Sequence, residues 1–420
     1  MAHVGLFFPH NPWPPRSGAH LRGLSILEAL KKLGYSVTLL SSTLSSDTAW
    51  TGSAITALRD AGAADVQIFE PTRVDRKVMG FLKRVHKRRH TEPRCGSLVY
   101  TPPGMRIWFS HRMRCIRPTQ VLISYAFWGP LNSLVKYVLP GAHAVSTIDS
   151  IDILARQTQL RQQIWAALPG SPVDPDLVHD EVLDEHYFTD TPFPRDASEF
   201  AEYDRFDNTI AISTPDWRII KANTKSTNAV LIPASFPHTS TVNSYSSPAI
   251  FATGPNPFNI HGYVYFVRKV LPPVLQCDPS FRLDVLGYAG TVVRGVPGVN
   301  LCGYVANLPS AYASAAFALS PVLGGTGQQL KIVEAMAHGL PVVAFRSVAE
   351  GSPIIHGVNG LLAGDAAEFA QHVLRLWRDR QLCREMGQAA RQQIQDHWSQ
   401  AHTTQQLGRL LEHEHRVYRQ

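Results

Sequence analysis

Lys331 and Glu334 stand one helical turn apart, just behind the run Gly324-Gly325-Thr326-Gly327. Free backbone N–H groups at a helix start attract a phosphate, and the helix dipole adds to the pull. Lys331 can add a full positive charge one turn in, and Glu334 can accept hydrogen bonds from a ribose. The order Gly, Gly, Lys, Glu therefore reads as a cradle for a sugar nucleotide diphosphate. Gly325, Thr326, Gly327 and Lys331 take the diphosphate end and Glu334 the ribose. A glycine loop alone is a weak signal, so the flanking elements matter. Residues 317–322 read as a buried strand, 328–338 as a helix stopped by Gly339, and 341–345 as a second strand. Open α/β sheets bind ligands at this carboxyl edge.

The first half has the same grammar. Residues 4–8 form a short apolar strand, and a turn-rich stretch runs from Pro9 to Gly18. Leu21, Leu24, Leu27 and Leu30 then recur at helical spacing up to Gly34. Gly18 sits where strand hands over to helix, and would let backbone approach a ligand closely. Further strands are expected at 37–40, 66–69, 121–124, 144–148 and 209–212. Asp149 and Asp152 lie just past 144–148, where a first-half ligand should sit. Either could orient an acceptor hydroxyl or act as a base; capping a following helix is the competing use. Residues 160–200 are acidic and Pro-rich and read as loop with short helices.

A second α/β series has strands at 250–253, 283–286, 317–322 and 341–345. Helices are expected at 368–377 and 382–397, and helical leucines follow at Leu407, Leu410 and Leu411. A chain of 420 residues fits two such domains. The expected division is 1–235, a Ser-, Thr- and Pro-rich linker 236–248, 249–398, and a C-terminal helix 399–420 that can pack back on the first domain.

Bulk composition removes several classes. No apolar run reaches the roughly 18 residues that cross a bilayer, and the N-terminus lacks the pattern of a signal peptide. The five cysteines are scattered without a Cys-x-x-Cys and read as free thiols of a cytoplasmic protein. The net charge of +7 is moderate, so its distribution matters more than its size.

The segment Lys331-x-x-Glu334-Ala-Met-Ala-x-Gly339-x-Pro341-Val-Val, with Glu350-Gly351 and Asn359-Gly-Leu-Leu362 downstream, resembles the C-terminal half of GT-B glycosyltransferases, specifically glycosyltransferase family 4. The stretches from Phe258 to Gly262 and from Arg16 to Gly18 resemble other segments of that family. The resemblance implies an α/β fold with two Rossmann-like domains facing each other across a cleft, the first for acceptor and the second for nucleotide sugar. It implies a retaining, metal-independent enzyme of hexosyltransferase type, using a nucleotide-diphosphate sugar as donor substrate and no cofactor. Gly303 and Tyr304 look like the segment that flanks the base. Three positions depart from the pattern. Thr326 stands where relatives carry a Glu that contacts the donor sugar. Residues 254–262 contain neither the Arg nor the Lys that many relatives use on the diphosphate. Ile151 takes the place of a His that faces the reaction centre.

Other features have more than one reading. Asp174-Pro-Asp176 matches the Asp-x-Asp of metal-dependent transferases, and His179, Asp180, Asp184 and His186 invite a metal too. They lack a fixed ligand spacing and read as a solvated acidic loop, so no metal site is expected. The segment from Arg73 to Arg94 crowds Arg76, Lys77, Lys83, Arg84, Lys87, Arg88 and Arg89 beside Val78, Phe81, Leu82 and Val85 at helical spacing. A basic amphipathic helix can lie on the inner face of the plasma membrane, or pack its stripe on the domain core; both readings stay open. No nucleic-acid motif accompanies the patch. Expected partners are a nucleotide-sugar donor and a glycan, lipid-linked or protein acceptor, in surface polysaccharide, glycolipid or glycoprotein assembly. Two rivals stand beside this reading. One is a catalytically degenerate GT-B subunit that binds sugar nucleotide or stabilises an active partner; the other is a sugar-nucleotide epimerase.

Overall fold

A computed structural model describes residues 2–44, 49–89, 97–135, 144–194, 197–237 and 242–417. The chain divides into two compact units. The first is Met1–Arg156, Pro194–Ser235 and Gln400–Gln420; the second is Gln157–Phe193 and Phe236–Ser399.

The first unit is built on strands β1 (His3–Phe7), β2 (Ser36–Ser42), β3 (Ala63–Phe69), β4 (Gln120–Ser124), β5 (Val145–Asp149), β6 (Asn208–Ala211) and β7 (Asn228–Leu231). They form one parallel sheet in the order β3-β2-β1-β4-β5-β6-β7. Successive residues point to opposite faces, so Leu6 and Phe7 enter different apolar clusters, one on each side of the sheet. Both faces are covered, as a parallel sheet requires. The helix Gly18–Lys32 starts at Ser17, whose hydroxyl accepts the His20 N–H. It is buried on nearly all sides, because the helix Gln400–Val417 packs on it with Leu407, Leu410 and Leu411. The Gln400 side-chain N–H donates to the Ser25 carbonyl at 2.7 Å.

The second unit carries β8 (Ala249–Thr253), β9 (Leu283–Gly287), β10 (Val299–Gly303), β11 (Ala318–Ser320), β12 (Val342–Phe345) and β13 (Gly360–Ala363). Its parallel sheet has the order β10-β9-β8-β11-β12-β13. Each sheet therefore runs outward from its first strand, then reverses and runs the other way from its fourth. That reversal opens a crevice at the carboxyl ends of the two central strands.

The expected domain limits need correction in one respect. Gln157–Phe193 does not go with residues 1–235 but with the second unit. The reason is apolar: Leu160, Ile164, Val173, Val182, Leu183 and Phe188 join the second unit's core. The polar side of the segment is tied down as well. Val173 bridges Val293, and Asp174 pairs with Arg294 at 2.7 Å. Arg268 donates to the Pro175 carbonyl at 2.8 Å and to Asp180 at 2.9 Å. Tyr265 donates to Glu185, and the His261 ring meets the Val182 carbonyl at 2.7 Å. The expected linker is also packed in part, since Tyr245 is buried and donates to the Gly339 carbonyl.

The His261 anchor makes the second unit sensitive to acid. Burial pushes its imidazole down to about 4, with the Val182 hydrogen bond opposing in part. Between pH 6.5 and that value the unfolded chain binds a proton that the folded chain refuses. Stability from this group is therefore lost as pH falls through the window, by up to about 1.4 kcal/mol per pH unit. His261→Gln keeps a donor for Val182 and removes the titration. Melting scans from pH 7 to 5 should fall more steeply for the parent than for this variant; parallel curves would refute the assignment.

Candidate functional site

The crevice of the second sheet lies between β8 and β11, and the glycine loop follows β11. Gly325 has φ +151° and Gly327 φ +68°, backbone that L side chains avoid. The chain can thus fold back into the helix Leu330–Ala337, which is shorter at both ends than the expected 328–338 and has no side-chain cap at Gln329. Lys331 and Glu334 share one face of this helix, and their side chains meet at 2.6 Å. Lys331 is 41% exposed and Glu334 14%, so the ammonium sits at the surface beside the loop while the carboxylate lies deeper.

Beneath Glu334 are two side chains that the sequence did not announce. The Tyr312 ring stacks on His338, centroids 4.6 Å apart and planes within 7°. Burial, with Glu334 close by, raises the Tyr312 phenol well above its ordinary value. Burial lowers the His338 imidazole, against the opposing pull of Glu334. Both rings are therefore held neutral, as a platform under the one carboxylate. Only the fold joins β11's neighbours in this way; in sequence Tyr312 looks like an ordinary core aromatic.

Gly303 ends β10 and Tyr304 follows it, 87% exposed. Three strand spacings separate β10 from β11, about 14 Å on the same carboxyl edge. An extended nucleoside diphosphate spans a distance of that order. The nearest downstream cation to the Arg- and Lys-free stretch 254–262 is Arg268, and it is committed to Pro175, Val178 and Asp180. Lys331 stands behind the loop, paired with Glu334, and Arg346 follows β12 on the same carboxyl edge.

In the first unit, Gly18 opens its helix on the carboxyl side of β1, directly after the Ser17 cap. Asp149 requires a correction. It ends β5, as expected, but both carboxylate oxygens are bound by Arg22, at 2.9 Å from Nε and 3.2 Å from Nη2. The two side chains are each 1% exposed. Arg22 also donates to the Pro233 carbonyl at 3.1 Å. Both oxygens are thus taken up by a buried guanidinium fork, which favours a structural use of this carboxylate. Arg22 was not singled out in the sequence; the available signal was a charge inside the leucine-rich face of a helix.

Asp152 lies three residues beyond, half-buried, with its N–H on the Ser150 carbonyl at 2.7 Å. It follows a strained position, because Ile151 has φ +60°, which a β-branched residue rarely tolerates. Tyr125, just past β4, is also left-handed at φ +67°, and its N–H donates to the Asp149 carbonyl. Burial, with Asp152 and Asp149 nearby, pushes the Tyr125 phenol up. Strain of about 1–3 kcal/mol per residue persists only where surroundings over-determine it, and it gathers at functional sites. Asp149 and Asp152 thus flank this strained edge, the first through its carbonyl and the second directly after Ile151.

The expected acidic-loop residues go elsewhere: Asp174 to Arg294 and Asp180 to Arg268. Among the described residues no group of three or more His, Cys, Asp or Glu is placed to hold a metal ion. Cys115, Cys277, Cys302 and Cys383 are free thiols; Cys95 lies outside the described residues.

With this geometry in hand, comparison with known proteins is informative. Residues 247–379 match the family described as glycosyl transferases group 1. An uncharacterized 44.6 kDa protein in the cps region of Klebsiella pneumoniae is 26% identical over 130 residues, 28% of this chain. The match spans about a third of that relative's length (34%). The sucrose-phosphate synthase of Thermosynechococcus elongatus superposes with a TM-score of 0.63 at 14% identity, covering 99% of this chain and 100% of that one. Anabaena HepE, solved with UDP and glucose, gives 0.61 at 15% identity, covering 98% and 100%. The fold is thus that of GT-B glycosyltransferases.

The buried pair yields a sharp expectation. Asp149→Ala strands Arg22 and should cost about 3–5 kcal/mol, whereas Arg22→Met with Asp149→Leu should cost far less. Urea unfolding of the parent, the single and the double variant checks this. A single variant as stable as the parent would return Asp149 to the list of reactive groups.

Proposed function

We propose that this chain, a GT-B protein whose second unit carries a group 1 glycosyl transferase domain, moves a sugar from a nucleotide-diphosphate donor to an acceptor hydroxyl. The observation that carries the reading is the left-handed glycine loop at the sheet reversal, with Lys331 and Glu334 on the helix it opens. The donor's bond from anomeric carbon to diphosphate oxygen breaks, and a bond from that carbon to the acceptor oxygen forms. Negative charge grows on the leaving diphosphate. Backbone N–H groups of Gly325 to Gly327 donate to that charge, and the Lys331 ammonium, which rests on Glu334 one turn behind them, turns to it when the donor binds, which lowers the barrier. Glu334 holds the ribose, Thr326 touches the sugar, and Gly303 and Tyr304 flank the base. Asp152 faces the acceptor and takes its proton or orients it. Retention of configuration and a hexose donor rest on the family resemblance.

The capsule-region relative supports an acceptor in surface polysaccharide assembly. HepE, solved with UDP-glucose, supports a uridine nucleotide as the first donor to try. One observation favours a degenerate binding subunit instead: Asp149 is locked away and Ile151 occupies the place of a reactive His. Release of nucleoside diphosphate from a donor panel in the presence of acceptor extract separates the two.

Peripheral membrane contact belongs to the same reading. The helix Arg73–Arg89 turns Met79 inward and half-buries Val78, Leu82 and Val85. Most of the expected apolar stripe is thus covered by the domain. Its outer side shows Arg76, Lys77, Lys83 and Arg84 together with Val74 and Phe81, 68% and 64% exposed. The helices Ser97–Tyr100 and Pro103–Ile116, which it packs against, expose Leu98 and Ile107. Cations with protruding apolar side chains suit an anionic lipid surface. Arg94 lies outside the described residues. No helix among those described is long and apolar enough to cross a membrane.

Two measurements test the proposal. A nucleotide sugar that binds the native state raises the melting temperature; Lys331→Ala should lose that shift and keep the melting point of the ligand-free parent. A variant that responds like the parent puts the diphosphate elsewhere. Flotation with phosphatidylglycerol vesicles should recover the parent but not Lys77→Ala/Arg84→Ala, whose binding drops about thirtyfold at roughly 1 kcal/mol per lost cation. Equal flotation of the two proteins removes the membrane contact.

A further inference from the structure

We infer that residues 157–193 are a built-in brace for the donor loop, and that Phe188 within them is a positioning residue for the diphosphate. The inference rests on the donor-site reading above and names what holds that site in shape.

The loop between β11 and the Leu330–Ala337 helix is gripped from two sides. On one side, the Phe188 ring lies flat against Gly324. A Cβ at Gly324 would stand 2.7 Å from Cγ of that ring and 2.8 Å from Cδ2. No side chain fits there, so ring and backbone are in direct contact. On the other side, Gly262 of the helix Pro257–Tyr265 abuts the backbone leading into the loop; a Cβ there would stand 2.9 Å from the Pro321 carbonyl oxygen. The same helix boxes the ring. Phe188 is met edge-on by His261 at 5.1 Å and by Phe258 at 6.1 Å. Phe188 itself is 2% exposed. The box is then locked to the brace by the His261 contact with Val182, and the brace to the helices and loops of the second unit by Asp174–Arg294, Asp180–Arg268 and Glu185–Tyr265.

Gly324 immediately precedes the left-handed Gly325. Whatever sets the height of Gly324 therefore sets the direction of the N–H groups at 325–327. A hydrogen bond from backbone to an anion weakens steeply with angle and distance, so a shifted loop loses the diphosphate before it loses the base. Phe188 touches no donor atom in this scheme; it acts through the loop.

The test uses the full chain titrated calorimetrically with UDP, GDP and ADP and with the matching monophosphates. For the base that binds, the preference for diphosphate over monophosphate should fall about tenfold in Phe188→Ala, the loss of one charge-assisted hydrogen bond. Phe188→Leu, which keeps most of the volume, should recover most of that preference. Gly324→Ala should reproduce the loss, since its methyl meets the ring. Combined with Phe188→Ala it should cost less than the sum, because the missing ring leaves room. Should Phe188→Ala fail to fold, Gly324→Ala and Phe188→Leu carry the test. Equal weakening of both nucleotides, or unchanged binding in these variants, overturns the brace while leaving the donor site standing. A parent that binds none of the diphosphates overturns both.

Discussion

A backbone that meets an anion through its own N–H groups has to be thin on the ligand side and supported on the other. Side chains near the anion would shield it, so such loops are rich in glycine, and glycine gives no stiffness of its own. The rigidity has to come from neighbours. For the anion-binding loop proposed in the second unit those neighbours are the Phe188 ring and the backbone of the Pro257–Tyr265 helix. Most other features of the unit follow from keeping them in place. The acidic segment is anchored at several points, His261 is kept neutral, and Arg268 serves the brace.

The first unit meets a comparable demand with charge. Arg22 and Asp149 are both sealed from water, where breaking such a pair is far costlier than forming it is profitable. Its role is geometric. Asp149 closes β5, its carbonyl accepts the Tyr125 N–H beyond β4, and the next turn carries the strained Ile151. One ion pair thus ties the first helix, the ends of two central strands and the carbonyl of Pro233 into a single fixed edge.

Legibility in the sequence followed burial and contact range. Strands such as β1, β4 and β12 are buried on both faces and read as plain apolar runs. β7, β10 and β13 are absent from the sequence expectation, and each is an edge strand; β7 and β10 are also more exposed than the central strands. Lys331 and Glu334 were readable because a helix places them together three residues apart. Arg22 and Asp149 are separated by 127 positions, and nothing local in Asp149 distinguishes a paired carboxylate from a reactive one. Gln157–Phe193 was misplaced because a helical spacing such as Leu160 and Ile164 does not say which core it enters, and Val178, Val182 and Leu183 beyond it lie in and beside short turns. They match a surface already formed by elements that come later in the chain.

The route of that segment constrains how the molecule could be divided. A gene fragment starting at Phe236 would contain the whole second sheet yet lack Phe188, Glu185 and Val182. Tyr265 and His261 would then lose their polar partners, and the pocket for the ring would open to water. Exchange of halves between relatives at the apparent linker would pair each second unit with a foreign or missing support. In this architecture recombination has to carry the insert after β5 along with the lobe it serves, so two lobes that look modular are inherited as one.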